Sequence, residues 1–210
     1  MTRDDVLKRL NDQHAAEKRR SNEDAEDLRK LKQADRNAWI RGDLPLIPAA
    51  VLVALINRPG GMTVLLTKRT EHLSSHAGQI SFPGGRTDDS DRDARHTALR
   101  ETEEEVGLGP ESIEVVGQLD NYIVGTGYLV TPIIGIIEPP VDYNAHDHEV
   151  AEIFEPPLKF LMDPVNMKRH SREVNDVTRN FFAVTWKDYY IWGATAGMLR
   201  NLSEIIWDEG

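Results

Sequence analysis

The chain has 210 residues, 40% of them hydrophobic, no cysteine, and a formal net charge of −10. That is enough apolar material for one good-sized domain, and it excludes a disordered chain, disulfides, thiolate catalysis and cysteine-based zinc sites. The charge is uneven: residues 1–41 hold 11 Lys+Arg against 9 Asp+Glu, and residues 42–210 hold 14 against 26, an acidic body that repels nucleic acid backbones.

No apolar run reaches the roughly 18 residues that span a bilayer. The N-terminus is charged from Arg3 onward, with no secretory apolar region. A cytoplasmic location is the expectation, with no membrane and no nucleic acid as partners.

Residues 1 to about 40 read as helical and mostly solvated, with sparse apolar positions at Val6, Leu7, Leu10, Leu28 and Leu31. A surface helix and a dimerisation arm are both open readings. The prolines of "GDLPLIP" (42–48) stop that pattern. The expected division is a helical extension over 1–45 and the main folded domain over 46–210. "AAVLVALI" (49–56) predicts a buried strand, "NRPGG" (57–61) a turn, and "MTVLLTKR" (62–69) a second strand. "SSHAGQISFPGG" (74–85) combines a short strand with a glycine loop. A helix is predicted from about Ser90 to Val106, with Ser90 or Asp91 as N-cap and Gly107 as its stop. Further strands are predicted at 112–119, 129–138, 179–186 and 189–192, the last two around a turn at Lys187–Asp188. A short helix is predicted within 156–163. The chain then forms an amphipathic helix from Gly193 to Trp207, with Ala196, Leu199, Leu202, Ile205 and Ile206 as its apolar stripe. This order predicts an α+β fold, αβα sandwich-like, with a mixed sheet flanked by helices.

The stretch "RETEEEVGL" (100–108) carries the chemistry. At about 100° per residue, Glu105 falls near 40° from Glu101 and Glu104 near −60°, whereas Glu103 points away. Three carboxylates therefore share one helical edge beside the apolar stripe of Ala98, Leu99, Thr102 and Val106. Like charges at this spacing, close to the C-terminal end of a helix, are locally unfavourable. A divalent cation such as Mg2+, held by carboxylates, waters and substrate phosphates, offsets that cost. A solvated acidic face is the alternative. Just upstream, "FPGGRTDDSD" (82–91) places Gly84 and Gly85 where backbone can approach a ligand closely.

Together these residues closely resemble the Nudix box. Gly85, an acidic residue six positions on at Asp91, and then Arg100–Leu108 follow its pattern. Two departures stand in the left half: Asp91 replaces a glutamate, and the gap before Arg100 is one residue longer than usual. The segment "LLTKRTEHLSSHAGQISFPGG" (65–85) further resembles the extra motif of the coenzyme A pyrophosphatase branch, through Leu65, Leu66, Thr67, Arg69, Gly78, Phe82, Pro83, Gly84 and Gly85. Thr70 stands where that motif has serine, and Ser74 where it has arginine. "GYLVTPIIGII" (127–137) and "IWGATAGMLRNL" (191–202) are familiar in the same branch.

The resemblance implies a Nudix fold and hydrolysis of the diphosphate of coenzyme A, or a derivative, to 3′,5′-ADP and 4′-phosphopantetheine or its acyl form. It implies Mg2+ or Mn2+ held by Glu101, Glu104 and Glu105. Arg100 is expected to pair with Asp91 or a nearby carboxylate, and Arg69, Gly78, Phe82, Gly84 and Gly85 to meet substrate. The general base is open between Glu149, Glu152 and a box glutamate such as Glu104. His76 reads as a satisfied or exposed histidine rather than a ligand. NADH or ADP-ribose is the alternative substrate, and Ser74 is its best support. A catalytically silent nucleotide sensor is a third reading, disfavoured because all three glutamates are present. The arm and the family leave a homodimer as a candidate assembly.

Overall fold

The computed structural model describes residues 1–20, 45–72, 78–146, 148–174 and 177–207. Ser74, His76, Leu28 and Leu31 lie outside them. The elements in chain order are α1 (Arg3–Arg20), β1 (Ile47–Ile56), β2 (Thr63–Val64), β3 (Leu66–Arg69), β4 (Ile80–Ser81), β5 (Gly84–Arg86), α2 (Ala94–Val106), β6 (Ile113–Gln118), β7 (Tyr122–Ile123) and β8 (Tyr128–Ile137). They continue with β9 (Val150–Phe154), α3 (Leu158–Met162), β10 (Lys168–Val174), β11 (Val177–Trp186), β12 (Tyr189–Trp192) and α4 (Gly193–Ile206).

The β1 strand organises the molecule. It runs parallel to β8 over ten residue pairs, from Ile47 opposite Tyr128 to Ile56 opposite Ile137. Side chains alternate across a strand. Val53 and Leu55 therefore enter one core with Phe82, Leu158 and α4, whereas Leu52, Ala54 and Ile56 enter a second core with Ala98, Leu99 and Val106 of α2. Both faces are covered, which is why β1 is apolar throughout rather than alternating. The main sheet runs β2-β1-β8-β6, with β5 also on β1 and β7 on β8. Two three-stranded sheets, β4-β3-β9 and β10-β11-β12, complete the mixed α+β architecture expected.

Several boundaries differ from expectation. The single strand predicted over 62–69 is two, β2 on β1 and β3 between β4 and β9, so the chain changes sheets at Leu65. The N-cap of α2 is neither Ser90 nor Asp91. Asp93 Oδ1 accepts from the His96 amide at 2.8 Å, because the Asp91 carboxylate is taken by Arg100. The glycine loop is itself a strand, with Gly84 and Gly85 opposite Val51 and Ala50. Strands β9 and β10 were not expected, since VAEIF is short and set among acidic residues, and KRHSREV is too polar to show a clear alternation.

The first ten residues are not merely solvated. Val6 and Leu10 are buried in the same core as α4, and Arg9 Nη1 donates to the Ile206 carbonyl at 2.5 Å. Arg3 pairs with Glu114 at 2.6 Å and Glu138 at 3.2 Å.

Glu155, just past β9, ties three segments together. It accepts from Arg58 Nη2 at 2.6 Å, Thr63 Oγ1 at 2.6 Å and Tyr143 Oη at 2.5 Å. Burial alone would raise its carboxyl, but the hydrogen bonds from Arg58, Thr63 and Tyr143 outweigh burial and hold it at about 2. A carboxyl depressed on folding adds stability that is present above its unfolded value and lost as pH falls through the folded one. The wild-type protein is therefore expected to lose stability between about pH 4.5 and pH 2. Glu155→Gln should show a flatter profile there and a loss of about 1–3 kcal/mol at neutral pH, read by urea unfolding.

Candidate active site

The glutamate edge of α2 faces the glycine strand. Glu103 and Glu104 are exposed, Glu101 is intermediate, and Glu105 is buried at 5% exposure. Arg100 links the helix to the loop ahead of it. Its Nε and Nη2 donate to the two oxygens of Asp91 at 3.0 and 2.9 Å, and Nη2 also donates to the Arg86 carbonyl at 3.3 Å. Its Nη1 meets Glu101 at 2.9 Å and Glu104 at 3.1 Å. The Asp91 side chain has no exposed area, and the hydrogen bonds from Arg100 hold its carboxyl well below the usual range. The pairing expected between Arg100 and Asp91 is present, and it leaves one end of the guanidinium on two of the box glutamates.

Glycine is required at both positions of the facing strand. Gly84 has φ +149°, and a Cβ there would lie 2.4 Å from the Ala50 carbonyl oxygen. A Cβ on Gly85 would lie 2.5 Å from the Glu101 carboxylate. The carboxylates of α2 thus rest against bare backbone. The Gly84 amide donates to Glu105 Oε2 at 3.3 Å, and Arg69 Nη1 stands 3.7 Å from Glu105 Oε1. Arg69 Nε is buried with no hydrogen-bond partner among the described residues.

Burial is the chief cause that raises the Glu105 carboxyl to about 8, against the opposing pull of the Gly84 amide and Arg69. The charges of Glu101 and Glu149 push it the same way as burial. Burial also raises Glu101. The edge is therefore short of positive charge even with Arg69 and Arg100 beside it.

The segment carrying Glu149 is clamped from two sides. The amides of Asn144 and His146 donate to the Val106 and Glu105 carbonyls at 2.9 and 3.0 Å, capping the end of α2. Thr70 holds the other side: its amide donates to the Glu149 carbonyl at 3.0 Å and its hydroxyl to the His148 carbonyl at 2.9 Å. Glu149 is exposed at the turn before β9, and its charge is felt by both Glu101 and Glu105. Glu152, the other candidate base, accepts instead from the Tyr189 hydroxyl.

The remaining expected positions fall as follows. Gly78 adopts φ +67°, and a Cβ there would meet the Glu71 carboxylate at 2.6 Å. Phe82 is buried in the core beneath the glycine strand. Arg69, Gly84 and Gly85 line a cleft of about 2200 Å3 that also takes in Arg86, Arg95 and Arg169. Sequence reasoning missed the anchoring role of Thr70. The nearest signal was that a hydroxyl residue directly follows Arg69, where the motif also has one.

Comparison with known proteins gives the family. A NUDIX domain model matches residues 46–185. The chain belongs to the Nudix hydrolase family. An uncharacterized Nudix hydrolase, NudL, from Escherichia coli strain K12 is 41% identical over 160 residues, covering 74% of this chain and 80% of that one. NudL of Escherichia fergusonii is similar to the same extent. Among solved structures, a Nudix hydrolase from M. smegmatis, RenU, matches 58% of this chain and 84% of its own at 24% identity, with a TM-score of 0.48.

The donors on the glutamate edge are carboxylate oxygens, the ligand type that Mg2+ and Mn2+ take. Among the described residues no three acidic or histidine side chains converge at ligand spacing, and Arg100 holds Glu101 and Glu104. The set fits a divalent ion in donor chemistry and in its deficit of positive charge.

A carboxyl whose folded value lies above its unfolded one contributes stability below the unfolded value and loses it as pH rises through the folded one. In EDTA, Glu105 is therefore expected to make the protein less stable as pH rises from about 4.5 to about 8. Urea unfolding across that range checks this, and Glu105→Gln should remove that part of the slope.

Proposed function

We propose that this Nudix hydrolase cleaves the diphosphate bond of coenzyme A or a CoA derivative, releasing 3′,5′-ADP and 4′-phosphopantetheine or its acyl form. One observation carries the reading. The segment that resembles the CoA pyrophosphatase motif, residues 65–85, supplies both groups that touch Glu105, the Gly84 amide and the Arg69 guanidinium. The four arginines of the cleft suit an extended substrate bearing several phosphates.

Glu101, Glu104 and Glu105 would hold Mg2+ or Mn2+, which when bound neutralises the diphosphate and lowers the pKa of the attacking water. Arg100 has separate contacts for two tasks. Its Nε and Nη2 keep Asp91 and so fix α2 against the glycine strand, whereas Nη1 is free to release Glu101 and Glu104. Arg69, which lines the cleft, would meet a substrate phosphate. Glu149 is assigned as the general base that takes the water proton on a carboxylate oxygen. The water oxygen bonds to phosphorus, and the bridging oxygen departs with the other product. Glu152 is set aside because it serves Tyr189.

A second reading keeps the chemistry and changes the substrate to NADH or ADP-ribose, favoured by Ser74 in place of the motif's arginine. Mass spectrometry of products after incubation with CoA and Mg2+ or Mn2+ is expected to show 3′,5′-ADP and 4′-phosphopantetheine. Parallel kinetics should give CoA the higher kcat/KM over NADH and ADP-ribose; the reverse order would favour the second reading. Glu149→Gln is expected to lower kcat by about 100-fold or more, and full turnover by that variant would remove Glu149 as the base.

A further inference from the structure

We propose that the outward face of β11 and β12 is a binding platform for the purine base of the substrate, with Phe181, Tyr190 and Trp192 as its stacking residues. The proposal rests on the family reading of the substrate as a nucleoside diphosphate derivative. It does not depend on which derivative, because CoA, NADH and ADP-ribose all carry adenine.

The strand register builds the platform. Ala183 lies opposite Trp192, Thr185 opposite Tyr190, and His170 opposite Phe181. Alternation then places Phe181, Tyr190 and Trp192 on one face, whereas Val184 and Ile191 on the other face are buried in the core. Among the described residues only three large hydrophobic side chains are exposed, and two of them are Tyr190 at 46% and Trp192 at 38%. They sit two residues apart on the same strand. The rings support one another: Phe181 meets Trp192 edge-on at 5.7 Å, and His170 stacks on Phe181 at 5.6 Å and meets Tyr190 edge-on at 6.4 Å.

Phe181, Tyr190 and Trp192 line the same cleft as Arg69, Gly84 and Gly85. The wall between the two regions is continuous. The Arg69 amide donates to the Gln79 carbonyl at 2.9 Å, and the next carbonyl, of Ile80, accepts from Thr195 Oγ1 of α4 at 2.9 Å. An exposed cluster of mutually braced rings suits a flat heteroaromatic group. The diphosphate seeks the arginines, and the pantetheine arm has no ring to stack. Trp192 is the N-cap of α4 by backbone alone, and its side chain makes no capping hydrogen bond.

The test is calorimetric titration with AMP and with ribose 5-phosphate, neither of which has a diphosphate to cleave. Wild-type protein is expected to bind AMP about tenfold tighter than ribose 5-phosphate. Trp192→Ala and Phe181→Ala should erase that preference, and Trp192→Phe should keep most of it. Tyr190→Ala, at the more exposed ring, carries the test if Trp192→Ala fails to fold by circular dichroism. Equal binding of the two probes by wild type overturns the proposal, as does a folded Trp192→Ala that keeps the preference. Sedimentation assigns the face to a second copy of the chain if Trp192→Ala turns a dimer into a monomer while AMP stays preferred. Failure to cleave CoA with the AMP preference intact removes the CoA reading and leaves the platform standing.

Discussion

The site depends on a carboxylate placed where water hardly reaches it. Glu105 lies between a helix and a strand that has no side chains to spare at that point, so the approach is close and the solvent is excluded. An isolated ionised carboxyl in such a place is costly, and the group answers by holding its proton near neutral pH. One amide and one distant guanidinium do not cancel the cost. A doubly charged cation is the kind of group that would offset it.

Around that point the protein spends its rigid contacts on alignment. Arg100 joins the helix to the buried Asp91 and the Arg86 carbonyl, so the glutamate edge stays in register with the glycine strand. Thr70 and the end of α2 grip the segment before β9 from opposite sides. Behind it, Arg58, Thr63 and Tyr143 gather on Glu155. Tyr143 directly precedes Asn144, so this network braces the segment that carries Glu149. The path from the β1–β2 turn to the site therefore combines these hydrogen bonds with the packing of Tyr143 against the core beside α2.

The cleft has two characters. Near α2 and β5 it is charged and built from backbone, suited to phosphates; along β11 and β12 it is aromatic. The start of α1 reaches the same cleft through Leu10, so the N-terminal helix belongs to the body that forms the site.

Sequence alone determined what is local or periodic. Residues 49–56 announced a buried strand because they are apolar without interruption, and residues 193–207 a helix through their stripe. The spacing within residues 100–108 placed three carboxylates on one edge, because helical rotation is the same wherever a helix forms. Tertiary structure decided the rest, since each outcome depends on a distant partner. Glu105 rather than Glu104 became the buried carboxyl because β5 covers that side. Asp93 became the cap because Asp91 was claimed by Arg100, nine residues on. Strands β9 and β10 exist through pairing with β3 and β11, which a five-residue stretch and a polar one do not advertise by themselves. Glu149 and Glu152 read alike in sequence; only the position of Tyr189, 37 residues beyond Glu152, separates them. Local conformation follows from nearest neighbours along the chain, whereas burial and pairing are set by neighbours in space.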